Sequence, residues 1–136
     1  MTVLFLLAAV ALVGWLYFSR KRNTGLPSGA VVYNDAGRQD LNRPLVSHRY
    51  RLAGRPDYLI ETKEGLLPVE LKSAHCPRSG PYEVHVIQLM TYCVLVEDVL
   101  RTRVPYGILQ YADKQRKIPY SRAEKQKVLA LAMRSA

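Results

Sequence analysis

Short apolar runs punctuated by turn residues occupy the middle of the chain, from Leu52 to Lys72. β-Branched and aromatic residues recur in these runs, as is typical of strands. The tripeptide Lys63-Glu64-Gly65 divides the stretch as a turn. The pattern therefore predicts a strand hairpin. Charged residues inside its apolar arms make it the first candidate for a functional site.

The alternation of side chains along a strand assigns these charged residues to a face. On the second arm, Glu70 and Lys72 fall on one face, whereas Val69 and Leu71 point the other way, into a core. With the turn in the middle, Asp57 on the first arm comes roughly opposite Lys72. Two carboxylates and an amine are then close together, and such a cluster is costly unless it binds something.

Hydrophobic periodicity predicts further elements on both sides of this hairpin. They are a strand at Ala30 to Tyr33, a largely buried helix from Tyr82 to Leu100, a second hairpin from Val104 to Tyr120 and a final helix from Ser121 through Met133. The stretch from Leu45 to Leu52 stays ambiguous. Ser73 to Pro81 has the composition of a loop, and it leaves directly from the candidate site.

An uncharged apolar run opens the chain at residues 1–18 and, as a helix, would be about 27 Å long, close to the thickness of a bilayer core. Positive charge follows this run at Arg20-Lys21-Arg22 instead of preceding it, which disfavours a signal peptide. A core helix would usually show one polar face, so an uncleaved anchor is favoured. We expect an anchor at 1–19, a basic linker at 20–29 and a domain at 30–136 that faces the cytoplasm from the cell membrane.

The charge balance bears on the partners of this domain. The chain carries a formal net charge of +9, all of it beyond the apolar run, and its pI is near 9.8. Such a domain suits DNA or an anionic membrane surface, although scattered charges of this kind also occur on ordinary solvated surfaces. The two cysteines, Cys76 and Cys93, have no zinc-site spacing and fit a reducing compartment.

The hairpin cluster has a definite chemistry. Asp57 and Glu70 offer hard oxygen ligands of the kind that Mg²⁺ or Mn²⁺ prefers. Beside them, Lys72 could orient an attacking water or stabilise charge on a phosphoryl oxygen. The alternative is a surface hairpin with a cross-strand ion pair. A second Glu-x-Lys, Glu61-Thr62-Lys63, runs into the polar turn and is expected to be exposed.

Three separated segments of the chain together resemble a known protein family. Gly54-Arg55-Pro56-Asp57, Pro68-Val69-Glu70-Leu71-Lys72 and Gln88-Leu89-Met90-Thr91-Tyr92 together resemble the PD-(D/E)xK nuclease superfamily, in its RecB-like branch, near the CRISPR-associated RecB-type exonucleases. The similarity runs from about Val31 to Met133. It implies an α/β fold with a restriction-endonuclease-like core, a mixed central sheet flanked by helices, here preceded by one N-terminal transmembrane helix.

The resemblance also implies a function. It predicts Mg²⁺- or Mn²⁺-dependent hydrolysis of DNA phosphodiester bonds, with exonuclease action favoured over endonuclease action. The catalytic residues that it implies are Asp57, Glu70, Lys72, Gln88 and Tyr92, and the first two would hold the metal. No iron–sulfur cluster is expected, because the four cysteines that many relatives use are absent.

Other polar residues are candidates for supporting roles. His48, the only histidine upstream of the hairpin, is a candidate metal ligand, since many relatives place a histidine before the aspartate. Arg55, His75 and Arg78 are candidates for substrate binding through phosphate, with a solvated loop as the alternative. His85 shares a helical face with Gln88 and Tyr92, where a histidine is more often a core or rim residue.

Two other functions fit the same residues. The chain could be a catalytically inactive nuclease-fold module that binds nucleic acid or acts as a membrane scaffold, because little soluble sequence precedes Asp57 to complete a site. It could also be a membrane-surface protein whose basic face binds anionic lipid.

Overall fold

A computed structural model describes residues 30–33 and 44–134. The predicted anchor at residues 1–19 and the linker at 20–29 lie outside the described residues. Within the described ranges, neither helix is long and apolar enough to cross a bilayer.

The described residues form an α/β fold with a mixed sheet flanked by helices, as predicted. The elements are β1 (Ala30–Tyr33), β2 (Leu45–Ser47), β3 (Leu52–Gly54), β4 (Tyr58–Thr62), β5 (Gly65–Leu71), α1 (Glu83–Leu100), β6 (Tyr106–Gln110), β7 (Gln115–Pro119) and α2 (Arg122–Arg134). The predicted first strand, both hairpins and both helices are confirmed. The ambiguous stretch becomes the short β2–β3 hairpin.

Among the described residues, the main sheet has five strands in the order β1-β4-β5-β6-β7. All neighbouring pairs are antiparallel except β5 and β6, which are parallel and are connected through α1. A parallel pair needs such a crossover, because the end of the first strand and the start of the second lie at opposite edges of the sheet. α1 packs on β5 and β6 and also contacts the β2–β3 hairpin and α2.

The β4–β5 hairpin turns one residue earlier in the chain than predicted. Thr62 pairs with Gly65 and Tyr58 with Val69, so the turn is the two residues Lys63 and Glu64. Continued by one residue, this register puts Asp57 opposite Glu70 and not opposite Lys72, which corrects the sequence prediction. The reason is geometric, since moving the centre of a hairpin by one residue moves each cross-strand partner by two.

Buried side chains lie on both faces of the sheet. The larger cluster fills the space between the sheet and α1 and includes Leu59, Leu89 and Leu109. The smaller one lies on the opposite face and contains Ile60, Leu67, Val69 and Ile108, none of them exposed. Strand alternation therefore gives β5 an outer face, with Leu67 and Val69, and an inner face toward α1.

Leu71 departs from the predicted burial pattern. It was expected to enter the core with Val69, but it is 38% exposed, because β5 ends there and the chain leaves the sheet for a loop. Lys72 is still tied to the sheet, since its backbone N–H donates to the carbonyl of Gln110 at 2.9 Å.

The contact between α1 and the sheet is close at Gly107. A Cβ at this position would lie 2.7 to 2.9 Å from three side-chain carbons of Leu89, which is nearer than real Cβ atoms come. Leu89 is fully buried at the centre of the larger cluster. Gly107 therefore sets how near α1 lies to β6.

Gly107→Ala is expected to destabilise the fold by about 1–3 kcal/mol, because the added methyl group overpacks this contact. Urea unfolding of the single variants and of Gly107→Ala/Leu89→Val measures the effect. The loss from Gly107→Ala should be smaller in the Leu89→Val background, where the opposing side chain is shorter. Equal losses in both backgrounds would show that the clash is not with Leu89.

Candidate active site

The predicted site residues converge at one edge of the main sheet. Asp57 immediately precedes β4 and Lys72 immediately follows β5, and because these strands are antiparallel, both residues lie at the same edge. Glu70 is beside Leu109 on the inner face of β5, toward α1. The N-terminal half of α1 presents Gln88 to this edge.

Asp57 fastens the open end of the hairpin. It is exposed, and its Oδ2 accepts a hydrogen bond of 2.8 Å from the backbone N–H of Leu71. This bond joins the two chain segments just beyond the last paired residues of β4 and β5. The carboxylate also lies close enough to Glu70 to raise the pKa of that residue.

Glu70 is a buried carboxylate with an unusual acidity. Only 8% of the residue is exposed, and its Oε2 is buried with no hydrogen-bond partner among the described residues. Burial raises the pKa of Glu70 to about 7, and the negative charge of Asp57 adds to the rise, while Lys72 opposes it. A carboxyl of this kind favours a proton or a cation at its free oxygen.

Lys72 is held between the carboxylate and the helix. Its Nζ donates a hydrogen bond of 2.6 Å to Oε1 of Gln88 and lies 3.5 Å from Oε1 of Glu70. An ammonium carries three donors, so these two acceptors leave one direction for a ligand within the described part of the chain. The side chain is 19% exposed, so part of it is accessible from outside.

Gln88 and Tyr92 form the support behind this amine. The Nε2 of Gln88 donates to the hydroxyl of Tyr92 at 2.8 Å, one helical turn further along α1. This bond orients the amide so that its oxygen is aimed at Lys72. Burial, with a contribution from Glu70, raises the pKa of Tyr92, so its hydroxyl stays protonated. Hydrogen bonds and an ion pair thus join Glu70, Lys72, Gln88 and Tyr92, and Asp57 lies close enough to act on Glu70 through its charge. All five predicted catalytic residues therefore come together.

Gly54 allows Tyr92 to occupy its position. A Cβ at Gly54 would lie 2.8 Å from Cε1 of the Tyr92 ring and 3.3 Å from Cδ1 of Leu95. The ring therefore packs directly on the backbone at the end of β3. This contact links the first motif to the third and assigns Gly54 a role that the sequence alone did not reveal.

The substrate-binding candidates lie around this edge. Arg55 is exposed two residues before Asp57, and His75 and Arg78 are exposed in the loop that follows Lys72. The loop is attached to the tip of the β6–β7 hairpin, because the N–H of Cys76 donates to Oδ1 of Asp113 at 2.8 Å. None of the three side chains takes part in the hydrogen bonds among Lys72, Gln88 and Tyr92.

His48 is not brought into the cluster. It is exposed in the turn between β2 and β3, next to Ser47, whose hydroxyl donates to Asp98 at 2.7 Å. Asp98 is ten residues beyond Gln88 on α1, which corresponds to about 15 Å along the helix axis. The turn with His48 therefore lies toward the opposite end of α1.

His85 is a rim residue beside Lys72. Its Nδ1 lies 2.8 Å from the hydroxyl of Tyr111, a buried residue at the end of β6. Partial burial and the nearby charge of Lys72 lower the pKa of His85, so its neutral form is favoured. Sequence reasoning did not identify Tyr111 as part of this region, because the contact joins residues far apart in the chain.

The donor set is compatible with a divalent cation of the hard-oxygen class. Among the described residues, no group of three or more His, Cys, Asp or Glu side chains could hold a metal. The site instead offers two carboxylates, one of them with an unpaired buried oxygen, and Mg²⁺ commonly binds through one or two carboxylates with waters and substrate phosphates. Asp57 and Glu70 are the residues that could hold such an ion.

Comparison with known proteins adds no relative. No protein-family model matches the chain, and a search of curated proteins finds no match. The family resemblance therefore rests on the three motifs alone and stays a prediction.

Glu70→Gln is expected to stabilise the fold at pH 8 but not near pH 4.5. The folded chain binds the Glu70 proton more tightly than the unfolded chain, since the pKa of about 7 lies above the ordinary 4.5. The free energy of unfolding therefore falls as pH rises through this interval and stays low above it. A neutral amide removes this loss, for a gain of about 1–3 kcal/mol at pH 8.

Urea unfolding at the two pH values measures this gain. Glu61→Gln is the matched control, because Glu61 belongs to the same hairpin and is exposed. The interpretation of Glu70 would be wrong if Glu70→Gln and the control behaved alike at pH 8.

Proposed function

We propose that this chain is a metal-dependent nuclease that hydrolyses DNA phosphodiester bonds, built on a restriction-endonuclease-like core. One observation carries the proposal: a buried carboxylate with an unpaired oxygen, a second carboxylate and an ordered amine meet at one edge of the sheet. Purely structural ion pairs do not need a second carboxylate next to a buried one, since like charges disfavour each other.

Asp57 and Glu70 are the proposed ligands of a Mg²⁺ or Mn²⁺ ion. When bound, such an ion polarises a phosphodiester and supports the negative charge that develops during its cleavage. It would also relieve the unfavourable pairing of the two carboxylates. The ion would then replace the proton that Glu70 otherwise retains near neutral pH.

Lys72 is the proposed catalytic amine. Its Nζ is fixed by Gln88 and Glu70, so it can direct its remaining N–H at a water or at a phosphoryl oxygen without searching for a conformation. Preorganised donors of this kind lower the barrier because they need no reorganisation during the reaction. Gln88 positions the amine, and Tyr92 in turn positions Gln88.

The surroundings support a polyanionic substrate. The chain has a formal net charge of +9, and the exposed Arg55 and Arg78 lie on segments that flank the site. Arginine binds phosphate oxygens through several donors at once. These residues are the proposed contacts to the DNA backbone, together with His75.

The location of the protein and its mode of action are proposed from the sequence pattern alone. An anchor at residues 1–19 would hold the domain at the cytoplasmic face of the cell membrane, with the basic segment after it inside the cell. Exonuclease action is favoured over endonuclease action by the resemblance to RecB-type exonucleases.

Lys72→Ala and Glu70→Gln should each reduce DNA cleavage by a factor of about 100 or more, because each removes a group that acts on the reacting phosphate. The measurement is release of nucleotides from DNA by the purified full-length chain with Mg²⁺ or Mn²⁺. The second Glu-x-Lys of the hairpin supplies matched controls, Lys63→Ala and Glu61→Gln, which should cleave like wild type.

Unchanged cleavage in a folded Lys72→Ala variant would contradict the assignment. A wild-type chain that binds DNA in a salt-sensitive way but does not cleave it would instead support the inactive nuclease-fold module.

Asp57→Asn and Glu70→Gln should each weaken the binding of Mn²⁺, and the double variant should abolish it. Calorimetric titration without DNA measures this property separately from activity. Because the ion displaces the proton of Glu70, wild-type binding should also weaken as the pH falls below about 7. The same affinity in Glu70→Gln and wild type would exclude Glu70 as a ligand.

A further inference from the structure

An exposed tyrosine lies beside the candidate site at the start of α1. Tyr82 immediately precedes the helix and is 50% exposed, whereas Tyr92 and Tyr111 nearby are buried. Its ring meets His85 edge-on, with ring centroids 5.1 Å apart and an angle of 72° between the planes. Aromatic surface is therefore left open to a ligand.

Tyr82 is held in place by a buried phenol. Its backbone N–H donates to the hydroxyl of Tyr111 at 3.2 Å, and the same hydroxyl lies 2.8 Å from Nδ1 of His85. Tyr111 is only 1% exposed, so the backbone of Tyr82 and the ring of His85 share a buried hydrogen-bond partner. A ring that is ordered before a ligand arrives loses little conformational freedom on binding.

The ring is also close to the catalytic amine. His85 is near enough to Lys72 to respond to its charge, and Gln88 follows three residues later on the same helical face. From Tyr82 to Gln88 the helix advances about 9 Å. Successive bases of a stacked strand are about 3.4 Å apart, so a few nucleotides bridge this distance.

We propose that Tyr82 is a stacking platform for an unpaired base, which makes the substrate single-stranded DNA or the frayed end of a duplex. Inside a duplex, neighbouring base pairs cover both faces of every base, so only an unpaired or terminal base can meet the ring. Stacking of this kind tolerates any sequence, because every base has a π-face. Arg78 and His75, exposed in the loop before Tyr82, can bind the adjoining phosphates.

This inference rests on the proposed nuclease function, since it names the substrate of the same site. It assigns Tyr82 to substrate binding and not to the chemical step. Removing the ring should therefore alter the affinity for single strands while leaving the carboxylates and Lys72 in place.

Fluorescence anisotropy of the full-length chain with a labelled single-stranded oligonucleotide tests the proposal, in EDTA to prevent cleavage. Tyr82→Ala should weaken single-strand binding about 10-fold, whereas duplex binding should not change. Tyr82→Trp should retain the affinity, because it preserves an aromatic face. Val84→Ala, at an apolar position in the same region that is 71% exposed, is the matched control and should bind like wild type.

A second readout separates stacking from a general loss of structure. An oligonucleotide with terminal 2-aminopurine should lose fluorescence on binding the wild-type chain and Tyr82→Trp, because stacking on the ring quenches the base. Tyr82→Leu, which is apolar but not aromatic, should quench it less at saturating protein.

Different experimental results would contradict the nuclease function and the stacking platform. A wild-type chain that shows this binding pattern but cleaves nothing with Mg²⁺ or Mn²⁺ would contradict the nuclease function and support the platform. A wild-type chain that cleaves DNA while Tyr82→Ala binds single strands normally would overturn the platform alone. Equal losses for single strands and duplexes in Tyr82→Ala would overturn it as well.

Discussion

The close approach of α1 to the strands beneath it is the constraint on which the site depends. Gly107 and Gly54 present no side chain to the helix, and Leu89 and Tyr92 occupy the space that a Cβ would need. A helix held further away could not bring Gln88 within 2.6 Å of the Lys72 amine. The chemistry of the site therefore follows from packing as much as from the polar residues themselves.

That packing also determines the acidity of the site. Glu70 lies on the inner face of β5 beside Leu109, where the helix excludes water from one of its oxygens. An exposed glutamate has no reason to retain its proton at neutral pH. The buried carboxyl of Glu70 lowers the stability of the fold, and such a loss is common at functional sites. The surrounding apolar clusters supply the stability that the site itself lacks.

Local patterns predicted the elements, and long-range contacts decided the details. Alternation and periodicity were enough for the hairpins and for α1, and three motifs were enough to select the five residues that the structure brings together. The partner of Asp57 was assigned wrongly, because a turn centred one residue away is equally plausible in sequence. Neither Gly54 nor Tyr111 could be recognised as a support, because each acts through a residue distant in the chain.

The two-residue turn at Lys63 and Glu64 has a consequence for how this chain can vary. Surface turns usually accept insertions and deletions readily. Here a register slip of one residue between β4 and β5 would turn Glu70 to the outer face of the sheet and Val69 toward α1, so an added residue must be taken up as a bulge or in a longer loop. The register that this turn sets is thus as strict a requirement for this site as the identity of its charged residues.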